Sequence, residues 1–298
     1  MNKQCVGLVG HGFVGEAFEV GMRHAFDILV HDTFKYGDKK SILGKEGEVE
    51  LEPDMKKFVE RANIIFVCVP TPMRPDGSCD TSIVTSVVEK INSYNNENIV
   101  VIKSTVTPGT TEMLHNKCIG LSGVVFNPEF LTEVNHIKDF KNQNRIIVGC
   151  SNDALLKVAS LYDIAYPNVP IIKTRSTIAE MVKYTTNCFL ATKLSFANEI
   201  FQICDALNID YDDMIRFAQY DERLGKSFWS VPGHDGSYGF GKSCFPKDIN
   251  GLISLAKSLG IDPKVLSAAW AKNLEVRPPA ERDWERMSKA VTNVKVGE

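Results

Sequence analysis

The sequence has little that would commit it to a membrane, to nucleic acid or to a metal. No apolar run approaches the roughly 18 residues of a membrane-spanning helix. Met1 leads directly into a short strand-like segment instead of a signal peptide, so the expectation is a cytoplasmic chain. Neither sign of charge dominates. A net charge of −3 at pH 7 gives no broad basic field for nucleic acid, and the lysines between Lys35 and Lys40 read as a solvated loop. The eight cysteines include no Cys-x-x-Cys pair and have no histidine at zinc-ligand spacing, which argues against a metal site. Cys5, Cys68 and Cys204 lie in apolar stretches, where a free thiol acts as a small hydrophobe. Internal repeats and low-complexity segments are also missing.

What is present suits two domains. The chain has 298 residues, 44% of them apolar and 24% charged. Apolar runs at Cys5–Val9, Ile28–His31, Ile64–Val69, Ile99–Lys103, Val124–Phe126 and Ile146–Gly149 alternate with helical patterns, which predicts a mostly parallel sheet. Residues 44–53 read as an acidic, glycine-containing loop. From Ser176 to Ile209 the apolar spacing changes to that of one long helix, and the chain beyond is helical. The expected fold is therefore α/β: a Rossmann-type domain over residues 1–175, then an all-helical domain over 176–298. Pro246 is expected to start a helix, Pro278-Pro279 to end the last long one, and the polar tail to Glu298 to fray.

Gly10-x-Gly12-Phe13-Val14-Gly15 follows a strand and opens a helix. These glycines can turn the chain tightly and bring backbone amides to a pyrophosphate at the helix N-terminus. Asp32 falls at the end of the second strand, about 20 residues on, where a carboxylate can accept from an adenosine ribose and would repel a 2′-phosphate. The pair predicts NAD in preference to NADP. Thr71, in Pro70-Thr71-Pro72, and Thr105 end two further strands at the cofactor edge, and Thr107 reads as a helix cap.

Cys244 stands just before Pro246 and Lys247. An expected helix N-terminus and a neighbouring ammonium would favour its thiolate, a setting that none of the other seven cysteines has. Asp248 follows, suited to managing protons. Lys183 and Asn187, at i and i+4, share a face of the long helix and can direct an ammonium and an amide at one developing oxyanion.

Asn127-Pro128-Glu129-Phe130-Leu131, Lys183-Tyr184-x-x-Asn187-x-Phe189-Leu190-Ala191 and Gly239-Phe240-Gly241-x-x-Cys244-Phe245-Pro246-Lys247-Asp248, in this order, resemble the UDP-glucose and GDP-mannose dehydrogenase family. The resemblance covers nearly the whole chain. It implies four-electron oxidation of a nucleotide-sugar alcohol to the carboxylate by NAD, through a thiohemiacetal and then a thioester on Cys244. Lys183, Asn187 and Asp248 assist, with Glu129 as general base and Thr105 and Asp248 positioning the water. It further implies cofactor contacts at Glu133 and Lys247, and substrate contacts at Glu129, Phe130, Leu131, Lys183, Asn187, Phe228, Ser237 and Gly241. The resemblance makes the helical half, 176–298, a central and dimerisation domain, with Arg223 reaching the substrate diphosphate from the neighbouring subunit of a homodimer built on the long helix.

Two departures touch the substrate loop: residues 229–238 are longer than usual, and Lys242 occupies a position that is usually glycine. The chain is also expected to lack the family's C-terminal domain. UDP-glucose is the first choice of substrate, with GDP-mannose and UDP-N-acetylmannosamine as alternatives. A single-oxidation dehydrogenase of the 3-hydroxyacid type and a non-catalytic NAD-binding protein are the rival readings.

Overall fold

The computed structural model describes residues 3–94 and 97–292, so the end of the tail expected to fray lies outside the described residues. The chain divides into two compact units. The first comprises residues 1–71 and 81–183, the second 72–80 and 184–298. The division falls inside the long helix, eight residues after the expected boundary at Arg175.

The first unit holds a nine-stranded sheet: β1 (Cys5–Val9), β2 (Asp27–His31), β3 (Ser41–Gly44), β4 (Gly47–Leu51), β5 (Ile64–Val67), β6 (Ile99–Ile102), β7 (Gly123–Phe126), β8 (Ile146–Gly149) and β9 (Ile171–Thr174). Their spatial order is β3-β4-β2-β1-β5-β6-β7-β8-β9. Pairing is antiparallel only for β3 with β4 and β7 with β8. The strand order reverses between β1 and β5, and such a crevice is where ligands bind in open parallel sheets. β5 to β8 are buried along their whole lengths, because helices cover both faces. Phe66, Val101 and Val125 point into one core with Phe18, Phe140 and Tyr162, while Ile65, Val100 and Val124 point into the other with Phe58 and Leu114.

Three local readings are corrected. The loop expected from residue 44 is the hairpin β3–β4, in which Val49 and Leu51 are buried and Glu48 and Glu50 exposed. The acidic residues occupy the outer face of a period-two strand. Thr107 does not cap the following helix, Thr110–Lys117; Gly109 precedes it at φ +98°, and Glu180 accepts from the amides of Gly109 (2.6 Å) and Thr111 (2.9 Å). The helix expected at Pro246 begins at Cys244, so Pro246 sits in its first turn, where no intrahelical N–H bond is lost. Strand β9 was not anticipated.

The long helix runs from Ser176 to Ala206, three residues short of the expected end. Asn208 adopts φ +57°, its amide donates to Asp205 O (3.1 Å), and that of Ile209 donates to Cys204 O (2.9 Å). This left-handed closure satisfies the last carbonyls and stops the helix. In the second unit the helices Tyr211–Ala218, Cys244–Ser258 and Lys264–Val276 follow, and Pro278 and Pro279 lead into a short 3₁₀ turn. No helix among the described residues is long and apolar enough to cross a membrane.

Candidate active site

In the first unit the three fingerprint glycines have separate physical reasons. At Gly10, φ is +87° and a Cβ would stand 2.6 Å from Cys68 O; at Gly15 it would stand 2.1 Å from Gly10 O. Around Gly12 a Cβ would meet nothing within 4 Å, so its lack of a side chain leaves open space beside the first turn, where Phe13 and Val14 begin the helix Phe13–Met22. That is the cradle a pyrophosphate needs. Asp32 accepts from the amides of His11 (2.8 Å) and Lys35 (3.0 Å), one on each oxygen, which fixes the carboxylate at the end of β2 with lone pairs to spare. Thr71 and Thr105 are buried just beyond β5 and β6, and half-buried Glu133 contributes its carbonyl to His136 Nδ1 (2.9 Å).

Glu129 lies just after β7 and is buried. Its carboxylate accepts from Lys183 Nζ (2.9 Å) and from the Leu131 amide (2.7 Å), while the same ammonium reaches Glu129 O (2.7 Å). Burial pushes the carboxyl upward, but Lys183, the Leu131 amide and Lys103 outweigh it and hold Glu129 below the usual carboxylate range. Phe130 stacks under the Arg145 guanidinium at 4.2 Å. Lys103 was missed in the sequence. It is buried at the end of β6 with its ammonium on Asn127 Oδ1 (2.8 Å), and burial, the largest cause, lowers it to about 8.

In the second unit Cys244 is the first residue of its helix, half-buried, with Ser243 Oγ 3.8 Å from its sulfur. Asp248, one turn on, is buried; it is ion-paired to Lys247 and accepts from Asn187 Nδ2 at 2.6 Å. Burial opposes the charge on Lys247, yet Asp248, Cys79 and Cys244 around it raise its pKa above the ordinary lysine value, so it is a cation close to the thiol. Lys183 and Asn187, expected to converge on one oxygen, each have a carboxylate partner of their own.

The loop before Cys244 is tightly held. Asn198 Oδ1 accepts from the Gly239 amide (3.0 Å), and Asn273 bonds both the amide (2.7 Å) and the carbonyl (3.1 Å) of Phe240. At Gly241 a Cβ would lie 2.6 Å from the side-chain ends of both Arg277 and Asp283, so a larger residue there would have to displace those two side chains. Buried Arg277 pairs with Asp235 at 2.6 Å, which ties down the longer loop, and Ser237 O accepts from Gly233 (2.9 Å). Phe228, at φ +63°, packs on Phe245. Exposed Arg223 pairs with Asp221, two residues away. Among the described residues no cluster of three or more His, Cys, Asp or Glu side chains is arranged to hold a metal.

A parallel sheet whose first turn carries this glycine cradle, with an acid closing the second strand, defines a dinucleotide-binding domain of the Rossmann type. Residues 39–165 match the NAD binding domain of the UDP-glucose/GDP-mannose dehydrogenase family, and residues 177–275 match its central domain. The chain belongs to that family, and its cofactor is NAD. It is 35% identical to a UDP-glucose 6-dehydrogenase of Rickettsia bellii over 90% of this chain and 66% of the relative, so it spans about two thirds of that protein's length. Among solved structures, it resembles a UDP-glucose dehydrogenase from Pyrobaculum islandicum (27% identity, TM-score 0.79, 91% of this chain and 68% of the other). It also resembles a GDP-mannose dehydrogenase from Pseudomonas aeruginosa (26%, TM-score 0.65, 92% and 69%).

Proposed function

We propose that this chain oxidises the primary alcohol of a nucleotide sugar to the carboxylate, UDP-glucose to UDP-glucuronate in the first instance, with Cys244 holding the intermediate. The observation that carries this is the placing of Cys244 at a helix N-terminus beside the cationic Lys247, whose partner Asp248 is also bound by Asn187. A partial positive charge and an ammonium both favour thiolate. The relatives named UDP-glucose dehydrogenases support the choice of sugar.

NAD supplies the hydride acceptor for both oxidations. The alcohol loses a hydride and a proton, and the thiol of Cys244 adds to the resulting aldehyde as a thiohemiacetal. Loss of a second hydride and proton gives the thioester; water then cleaves the C–S bond, returning the thiol and releasing the acid, which ionises. Two NAD are reduced and three protons released per sugar. Glu129, held ionised by Lys183, is the base for that water, with Thr105 and Asp248 positioning it, and the Lys183 ammonium and Asn187 amide stabilise the oxyanions. Phe130, Leu131, Phe228, Ser237 and Gly241 are the proposed contacts of the sugar and its diphosphate. Arg223 reaches the diphosphate from the second subunit of a homodimer, its fork suiting phosphate oxygens.

The test is stoichiometry. Purified protein with limiting UDP-glucose and excess NAD should yield two NADH per sugar consumed. One would indicate a single-oxidation dehydrogenase, and none with UDP-glucose, GDP-mannose or UDP-N-acetylmannosamine would sink the proposal.

A further inference from the structure

A cleft of about 310 Å³ opens within the first unit between the Pro128–Leu131 turn and the residues leading into β8. Its walls carry more donors than acceptors. Lys103 borders it and is 3% exposed, and among the described residues its only hydrogen-bond partner is the neutral Asn127. Arg145, stacked on Phe130, donates to the neighbouring Asn144 Oδ1 (3.0 Å), which leaves most of its fork uncommitted. Among the described residues Gln143 Nε2 is buried without a hydrogen-bond partner, an unfavourable state unless something accepts from it. Lys138 adds a cation at the exposed margin.

Both carboxylates in the cleft are already engaged. Glu129 is bound by Lys183 and the Leu131 amide, and Asp139 accepts from the amide (2.8 Å) and hydroxyl (2.6 Å) of Thr132. The cleft therefore has three cations against two anions, of which Glu129 is already paired with Lys183, and an orphaned amide donor. We propose that it is an oxyanion-binding site, taking a phosphate- or sulfate-sized group between buried Lys103 and the half-buried Arg145 and Gln143. An anion seated there would neutralise the excess charge and satisfy the amide. It would also oppose the charge on Glu129, so occupancy and the state of that carboxylate are linked.

The inference does not rest on the proposed enzymatic activity, because binding is read on the protein alone. Sulfate, which does not titrate near neutrality, is the probe. Calorimetric titration at constant ionic strength should show one saturable site per chain, weakened about tenfold or more in Lys103→Met and about threefold or more in each of Arg145→Met and Gln143→Leu. The wild-type protein provides a test without any substitution. The groups facing Lys103 are Cys68 beyond β5, Glu129 after β7, Tyr162 of the helix Ala154–Ala165 and Lys183 of the long helix. With Lys103 titrating at about 8, sulfate affinity should fall about tenfold from pH 7 to pH 9. Inorganic phosphate should bind likewise. Competition by UDP would identify the anion as a nucleotide phosphate, and lack of competition would identify it as a free one; either result supports the site. Absence of saturable binding, or an affinity indifferent both to Arg145→Met and Gln143→Leu and to pH between 7 and 9, would overturn it.

Discussion

Lys183 is the residue where stability and chemistry are hardest to separate. Its ammonium and the Glu129 carboxylate are 3% and 7% exposed, and removing one member of such a pair strands the other charge in the interior. Lys183→Met is therefore expected to lower unfolding free energy by about 3–5 kcal/mol in urea titrations, with much of it recovered on adding Glu129→Gln. Because the folded Glu129 carboxyl lies below its unfolded value of about 4.5, its stabilisation is full above that pH and is lost as pH falls through the folded value. Lys103 behaves in the opposite sense. Its folded value of about 8 lies below the unfolded 10.5, so the unfolded chain binds more protons between them and stability rises with pH across that window, by roughly 3 kcal/mol at most. Lys103→Met should flatten that rise in denaturation midpoints measured from pH 8 to 10.5. Cys244→Ser should retain NAD affinity yet lose acid formation, and mass spectrometry of quenched wild-type protein should find the sugar adduct on the Cys244 peptide alone. Wild-type acid production by Cys244→Ser would exclude the thioester.

At the scale of elements, the backbone at Lys242 is in the left-handed region, φ +62°, which costs a residue with a Cβ roughly 1–2 kcal/mol that glycine does not lose. Its ion pair with Asp283, 3.5 Å and half-exposed, returns less than about 1 kcal/mol. Lys242→Gly is thus expected to raise the denaturation midpoint slightly, and Lys242→Val to lower it. The same physics decides what could be read in advance. Strands β5 to β8 were legible because they are continuous apolar runs, and the hairpin β3–β4 was not, because glutamates on its outer face imitate a loop. Cys244, Lys183, Asn187 and Asp248 were legible as residue types at fixed spacing. Lys103, Glu180, Asn273 and Arg277 were invisible, since each acquires its role from a partner 24 to 71 residues away that only the folded chain supplies.

At the scale of the whole molecule, Ile178, Met181, Phe189, Phe196 and Ile203 form an exposed apolar stripe along the long helix at near-heptad spacing. If it pairs two copies, as proposed, Phe189→Glu with Phe196→Glu should give monomers in light scattering and, with Arg223 supplied across the pair, little activity; a fully active monomer would refute the shared site. Asp32 should make NAD far better than NADP by kcat/KM, and Asp32→Ala should narrow the gap. The fingerprint glycines offer a last contrast. Gly10 and Gly15 are enforced by neighbouring backbone, whereas Gly12 faces open space. Alanine at either outer position should therefore cost folded protein, while Gly12→Ala should fold normally and lose cofactor. A mutational scan selecting for abundance would then recover only the outer two glycines, one selecting for turnover all three, and the difference between the maps would trace the cofactor's footprint.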